Sequence, residues 1–245
     1  MEKRVTFKGI WLPLLLVLPQ LVITAVFFFY PAGQAVYQSL FIPDPFGLSM
    51  QWVGLGNFEY LLGNAYYRAS FVTTAVFSVA VTVVSMGVAL YLAVLADRLI
   101  KGSGVYRTLL IWPYAVAPAV AGVLWLFMFN TRVGVVTWYL GVLGYDWNHV
   151  LNGEEAMGLV VVASAWGRIS YNFLFFLAGL QAIPRSVIEA AAIDGARFWT
   201  RFRTIVWPLL SPTTFFLLVV NIVYAFFESC NQYYYYKIKY YIYIN

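Results

Sequence analysis

The charges along this chain fall in clusters separated by long stretches that carry none. Residues 9–43, 69–96, 108–131 and 204–227 contain no Asp, Glu, Lys or Arg, and residues 156–184 contain a single charge, Arg168. Each run matches or exceeds the roughly 20 residues a helix needs to cross about 30 Å of hydrocarbon. A spanning β-barrel would instead show segments of about 10 residues alternating apolar and polar. These runs are longer and apolar all round. They predict five membrane-spanning helices, at about residues 11–40, 71–96, 105–130, 156–181 and 208–227, and so an all-α, polytopic transmembrane helical bundle.

Prolines punctuate the runs. Pro13, Pro19 and Pro31 predict a kinked or partly interfacial first span, tolerated where neighbours or water satisfy the freed carbonyls. Pro113 and Pro118 predict a bend in the third. Between the runs lie a loop at 41–69 with turn signals PDPFG and GLGN, a short connection DRLIKGSG at 97–104, and a loop at 131–155 holding His149, Glu154 and Glu155.

Composition agrees with the pattern: 62% of residues are hydrophobic and 10% charged, against about 25% charged in a soluble domain. The net charge of +5 could suggest a nucleic-acid partner, but its placement argues for topology. Lys3, Arg4, Lys8, Arg98, Lys101, Arg107, Arg185, Arg197, Arg201 and Arg203 fall on one side of the spans, and only Arg68 and Arg132 on the other. That asymmetry predicts a cytoplasmic N-terminus over residues 1–10. The apolar run from Ile10 to Tyr30 exceeds the 7–15 residues of a signal-peptide core, so an uncleaved anchor is expected.

The last residues differ in kind. YYYYKIKYYIYIN, from Tyr233, draws on four residue types that A/T-only codons can encode. It reads as a foreign or out-of-frame tail over 228–245, in a truncated chain; an aromatic interfacial anchor is the alternative. Several chemistries lack their motifs. No Gly-Lys dipeptide forms a phosphate loop, and there is no HExxH, CxxC or GxGxxG. One histidine and one cysteine, Cys230, cannot build a conventional zinc site or an internal disulfide. No catalytic residue and no metal ligand is expected.

One stretch breaks the apolar pattern inside the second half: IEAAAIDGARFWTRFRTIVWPLLSP, residues 188–212. Pro184 suits a helix start, RSVIEAAAID reads as a short helix, and Gly195 falls where a left-handed cap would end it. Residues 197–206 read as a second short helix, with Phe198, Phe202 and Ile205 on one face, and Pro208 opens the last span. Small residues Ala190, Ala191 and Ala192 allow close approach of a partner groove. Arginines on lipid phosphates are the other reading of the segment. Within the fourth span, Arg168 sits in WGRISYN beside Ser170, Tyr171 and Asn172. A cation inside a span is costly and faces a cavity or a partner, which makes Arg168, Tyr171 and Asn172 candidates for a substrate pathway. A packing role for Arg168 is the alternative.

Glu189-Ala190-Ala191, Gly195, Ile205 and Pro208 resemble the EAA signature of ABC-importer permeases, departing at Trp207, where leucine is usual. LPLLLVLPQLVITAVFFFYPAGQAVYQSL, WPYAVAPAVAGVLWLFMFN and ISYNFLFFLAGLQAIPRSVIEAAAIDGA extend the likeness, from about Trp11 to Phe227, to A-type permeases of glycerol-3-phosphate importers of the carbohydrate-uptake class. The resemblance implies a MetI-like permease domain over 11–227, here with five spans and the sixth missing. It implies that segment 184–208 couples the pore to an ATPase through Glu189, Ala190, Ala191, Asp194 and Gly195. It further implies a bacterial inner-membrane importer, with a periplasmic solute-binding protein, a second permease, and an ATPase dimer that binds the ATP and magnesium this chain does not. The solute would be glycerol-3-phosphate or a related glycerophosphodiester, or else a sugar or oligosaccharide. An ion-coupled secondary transporter and a non-functional truncation remain alternatives.

Overall fold

A computed structural model describes residues 9–46, 49–98 and 103–244; side chains are described within these ranges except at 98, 103 and 228–244. The basic residues Lys3, Arg4, Lys8 and Lys101 lie outside the described residues, as do the side chains of the tail at 228–245. The chain divides into two compact units, one ending at Phe71 and one beginning at Val72.

The first unit opens with a rod of helix from Trp11 to Gln38. It comprises α1 (Trp11–Thr24), one π-helical turn (Ala25–Phe29) and α2 (Tyr30–Gln38). The π turn has a local cause. Pro31 has no N–H and its ring would collide with the carbonyl four residues earlier. Widening the helix just ahead of it relieves the collision without breaking the rod. Next comes an antiparallel hairpin of β1 (Phe41–Pro43) and β2 (Met50–Trp52), in the register Phe41 to Trp52. These two short strands, around the PDPFG stretch, are an element the all-α reading of the sequence did not include. Helix α3 (Gly56–Gly63) is tied back by Asn57, whose Nδ2 donates to the carbonyls of Ser39 at 2.8 Å and Phe41 at 3.0 Å.

In the second unit, α4 (Ala65–Arg98, which begins just before the boundary), α8 (Gly153–Gln181) and α11 (Trp207–Ile244) supply the core. Ala89, Ala93 and Ala96 of α4 are buried in one cluster with Phe173, Phe176 and Leu180 of α8 and Leu210 and Leu217 of α11. Small residues at helical spacing let membrane helices approach closely, where van der Waals packing rather than water drives association. The outward faces remain apolar and exposed, as a lipid solvent requires.

Helices α5 (Ser103–Ala115) and α6 (Pro118–Met128) together are long and apolar enough to cross a membrane but are bent by 96°. Pro118 drives its predecessor out of the helical region: Ala117 is extended, at φ −58° and ψ 133°. The expected bend is therefore a break. With this pair counted once there are five candidate spans among the described residues. Helix α7 (Val135–Val142) follows, and α8 is capped by Asn152, whose Oδ1 accepts the Glu154 N–H at 3.0 Å.

The polar segment folds as α9 (Arg185–Ile193), a glycine turn, α10 (Phe198–Arg201) and a π turn (Phe202–Val206) running directly into α11. The expectation that Pro208 begins a separate helix is corrected: helix is continuous from Phe198. As at Pro31, the π turn ends two residues before the proline and absorbs it. Pro212 also lies inside the helix; the Pro208 carbonyl it frees accepts the Ser211 hydroxyl at 2.7 Å.

Candidate functional site

Two features of the second unit can carry function: a cavity in the crook of the bent pair, and the exposed segment joining α8 to α11.

The cavity encloses about 890 Å³ between α5, α6, α8 and α11. The bend builds it, since α6 turns away from α5 and leaves Pro113, Tyr114 and Trp125 facing Trp166, Arg168 and Tyr171 on α8. Asn221 and Tyr224 of α11 close it. Arg168 is the one charged residue among the described lining residues, and its guanidinium lies 5.7 Å from the Tyr224 ring centroid. That is within cation–π range. Tyr114 and Tyr171 approach ring to ring at 6.1 Å, and Trp125 meets Trp166 edge-on at 6.0 Å. The wall is thus mostly aromatic and apolar, with a few polar groups, as small-molecule sites tend to be.

Of the three pathway candidates, Arg168 and Tyr171 line the cavity; Asn172 does not. It is fully buried in the helix interface, paired with Asn221: Asn221 Nδ2 donates to Asn172 Oδ1 at 2.7 Å, and Asn172 Nδ2 donates to Asn221 Oδ1 at 3.2 Å. Asn172 Nδ2 also reaches Ser85 Oγ of α4 at 3.2 Å, and Asn221 Nδ2 the Leu217 carbonyl at 2.8 Å. The physical reason is the neighbour. One turn beyond Arg168, the same face of α8 leaves the cavity and meets α11. Tyr224, Trp166 and Tyr114 were not singled out from sequence. The available signal was the pair Asn221 and Tyr224, polar-tipped residues one turn apart in an otherwise apolar run.

The five coupling candidates lie together on α9 and its C-terminal turn. Glu189, Ala190, Asp194 and Gly195 are exposed and Ala191 half-buried. Gly195 has φ +77°, its N–H reaches the Ala192 carbonyl at 3.1 Å and the Ala196 N–H reaches Ala191 at 3.0 Å. This pair of bonds is a Schellman cap, which ends α9 sharply and reverses the chain. Ile193, 87% exposed, and Trp199, 73% exposed, add apolar surface that sequence reasoning overlooked.

On the loop before α8, Glu155 accepts from the Tyr145 hydroxyl at 3.0 Å, the Asn148 N–H at 2.6 Å and Asn152 Nδ2 at 3.2 Å. The hydrogen bond to Glu155, with that carboxylate's charge, pushes the Tyr145 phenol above its ordinary value. His149 is buried beside Trp147, with ring centroids 6.2 Å apart. No group of three metal-ligating side chains occurs among the described residues.

The chain forms a bundle of candidate membrane-spanning helices with one broken pair and a polar helix–turn–helix insert, and in sequence it matches proteins named as transport permeases. The chain is 61% identical over 227 residues, covering 93% of its length, to the sn-glycerol-3-phosphate transport system permease protein UgpA of Rhizobium meliloti (strain 1021), of which it spans 78%. It is 58% identical over 228 residues to the same-named protein of Yersinia enterocolitica, spanning 77% of it. No family model matches. Among solved structures, a bacterial ABC transporter involved in import of the acidic polysaccharide alginate superposes with a TM-score of 0.72 at 20% identity, covering 89% of this chain and 75% of that one. The chain belongs to the UgpA family of permease proteins, transport subunits with the fold of ABC-transporter permeases.

Proposed function

We propose that this chain forms half of the translocation pathway of an ATP-driven importer for glycerol-3-phosphate or a related glycerophosphodiester, in the bacterial inner membrane with its N-terminus in the cytoplasm. The observation that carries the reading is Arg168. A guanidinium matches the geometry of a phosphate's oxygens. Here it faces a cavity able to hold a small organophosphate. The relatives' names point to the same solute.

In this reading ATP and magnesium bind to a separate ATPase dimer, a periplasmic protein delivers the solute, and a second permease completes the pore. The surface of Glu189, Ala190, Ala191, Asp194 and Gly195 seats in the ATPase. Connectivity supports transmission of its movement. Helix α9 hangs on two short connections, one at 182–184 from α8 and one at 194–197 to α10, which runs through the π turn into α11 as continuous helix. Both flanking helices are cavity walls. A displacement of α9 therefore pulls on both walls, a coupling between distant sites carried by rigid elements.

A sugar substrate is the second reading, favoured by Trp125, Trp166 and Tyr114 in the wall. Uptake by cells whose transport depends on this chain separates the two. Accumulation of labelled sn-glycerol 3-phosphate, but not of a neutral trisaccharide, supports the first; the reverse supports the second.

A further inference from the structure

Helices α8 and α11 meet in a ladder of side-chain contacts. Nearest the polar segment, Gly179 lets α11 come close; a Cβ built there would lie 2.7 Å from Leu210 Cδ1 and 3.2 Å from Thr213 Oγ1. Phe175 and Phe216 meet next, with centroids 5.6 Å apart. The Asn172–Asn221 amide pair follows. The last rung is Arg168 over Tyr224. Residue numbers rise on one helix as they fall on the other, so the two run antiparallel in one register. Arg168 precedes Asn172 by four residues and Tyr224 follows Asn221 by three, the spacings that bring side chains onto one helix face. The buried amide pair thereby fixes the rung beside it.

We infer that Tyr224 is a positioning residue for transport: its ring holds the Arg168 guanidinium in the cavity, where Arg168 meets the anionic group of the passing solute. This rests on the reading of the cavity as the solute pathway. An arginine side chain is long, and inside a span it gains by reaching toward water. An aromatic face offers it a site within the wall, and the register set by Asn172 and Asn221 places that face within range. Tyr224 is a cavity-lining residue in its own right, so the ring and the cation confront the same volume.

The test uses the complete importer, reconstituted in vesicles with its companion subunits and saturating solute-binding protein. The readout is the maximal ATP-dependent uptake of sn-glycerol 3-phosphate. Arg168→Gln is expected to slow uptake. Tyr224→Leu should slow it about 2- to 30-fold, the range a cation–π contact covers, while Tyr224→Phe, which keeps the ring, stays near wild type. Adding Tyr224→Leu to Arg168→Gln should slow uptake no further, which a merely structural role for the ring would not produce. Wild-type rates in Tyr224→Leu, equal loss in Tyr224→Phe, or an additive double variant each overturn the inference while leaving the proposed solute intact. If Arg168→Gln itself transports normally, or the wild-type importer carries no sn-glycerol 3-phosphate, the reading of the cavity falls and the role of Tyr224 falls with it.

Discussion

Asn172 and Asn221 clasp each other through both amide groups, 49 residues apart in sequence and both essentially inaccessible. Replacing Asn172 removes both of its bonds to Asn221 and leaves Asn221 with the Leu217 carbonyl and a long contact from Ser85, so its buried amide is only partly satisfied. Asn172→Leu is therefore expected to cost about 1–3 kcal/mol, the penalty of an unsatisfied buried group. A typical membrane hydrogen bond is worth only about 0.6 kcal/mol net, so replacing both partners should cost less than the two single changes summed. Thermal unfolding of the purified complex carrying Asn172→Leu, Asn221→Leu and the pair checks this. Strict additivity would mean that the amides act independently.

Gly134 sits where the chain folds back ahead of α7, and there the backbone leaves no room for a side chain. A Cβ would lie 2.5 Å from the carbonyl oxygens of both Asn130 and Met128. Backbone atoms cannot swing aside as a side chain can, so Gly134→Ala should destabilise by about 1–3 kcal/mol. Gly141→Ala, inside α7 with nothing within 4 Å, should be neutral or gain up to about 1 kcal/mol. The two midpoints of thermal unfolding, compared side by side, should separate in that order.

The Tyr145 phenol is held above its ordinary value by donating to Glu155. A raised value in the fold means that the contribution of this bond is fully present below about pH 10, the ordinary tyrosine value. It is lost as pH rises through the raised one. An ultraviolet difference titration of wild type against Tyr145→Phe should show one phenol ionising later than the ordinary value. Ionisation at or below it would refute the bond.

Gly195 closes α9 in the left-handed region at φ +77°, with no atom within 4 Å of the place an alanine methyl would take. Steric room is ample, so the cost of Gly195→Ala is conformational, roughly 1–2 kcal/mol. Gly195→Asn should be milder, because asparagine tolerates this region. Protease sensitivity of the segment around the turn, ranked alanine above asparagine above glycine, reports the effect; a flat ranking would contradict it.

The sequence made the spans legible because membrane crossing is a composition rule. Runs with at most one charge locate α1, α4, α8 and α11 without knowledge of packing. The cap at Gly195 was equally legible, since few residues other than glycine take that backbone. What prolines do was less so. Pro118 breaks a helix, Pro31 and Pro208 each follow a π turn, and Pro19, Pro113 and Pro212 sit inside α-helix, so one residue type has three outcomes that its presence alone does not distinguish. The facing of polar residues was the least legible. Arg168 and Asn172 share a helix face, yet one meets a cavity and the other a helix. That depends on where α11 crosses, which no local pattern encodes. The hairpin at 41–52 is three residues per strand, too short for alternation to register.

In the proposed function, movement of the exposed α9 turn drives the cavity. Uptake of sn-glycerol 3-phosphate into vesicles holding the complete importer, with and without ATP, tests it most directly when wild type is compared with Gly195→Asp. ATP-dependent uptake is expected of the wild type. The variant is expected to form a complex that still assembles its membrane subunits but no longer retains the ATPase, or hydrolyses ATP without uptake. Normal ATP-coupled uptake in Gly195→Asp would contradict it.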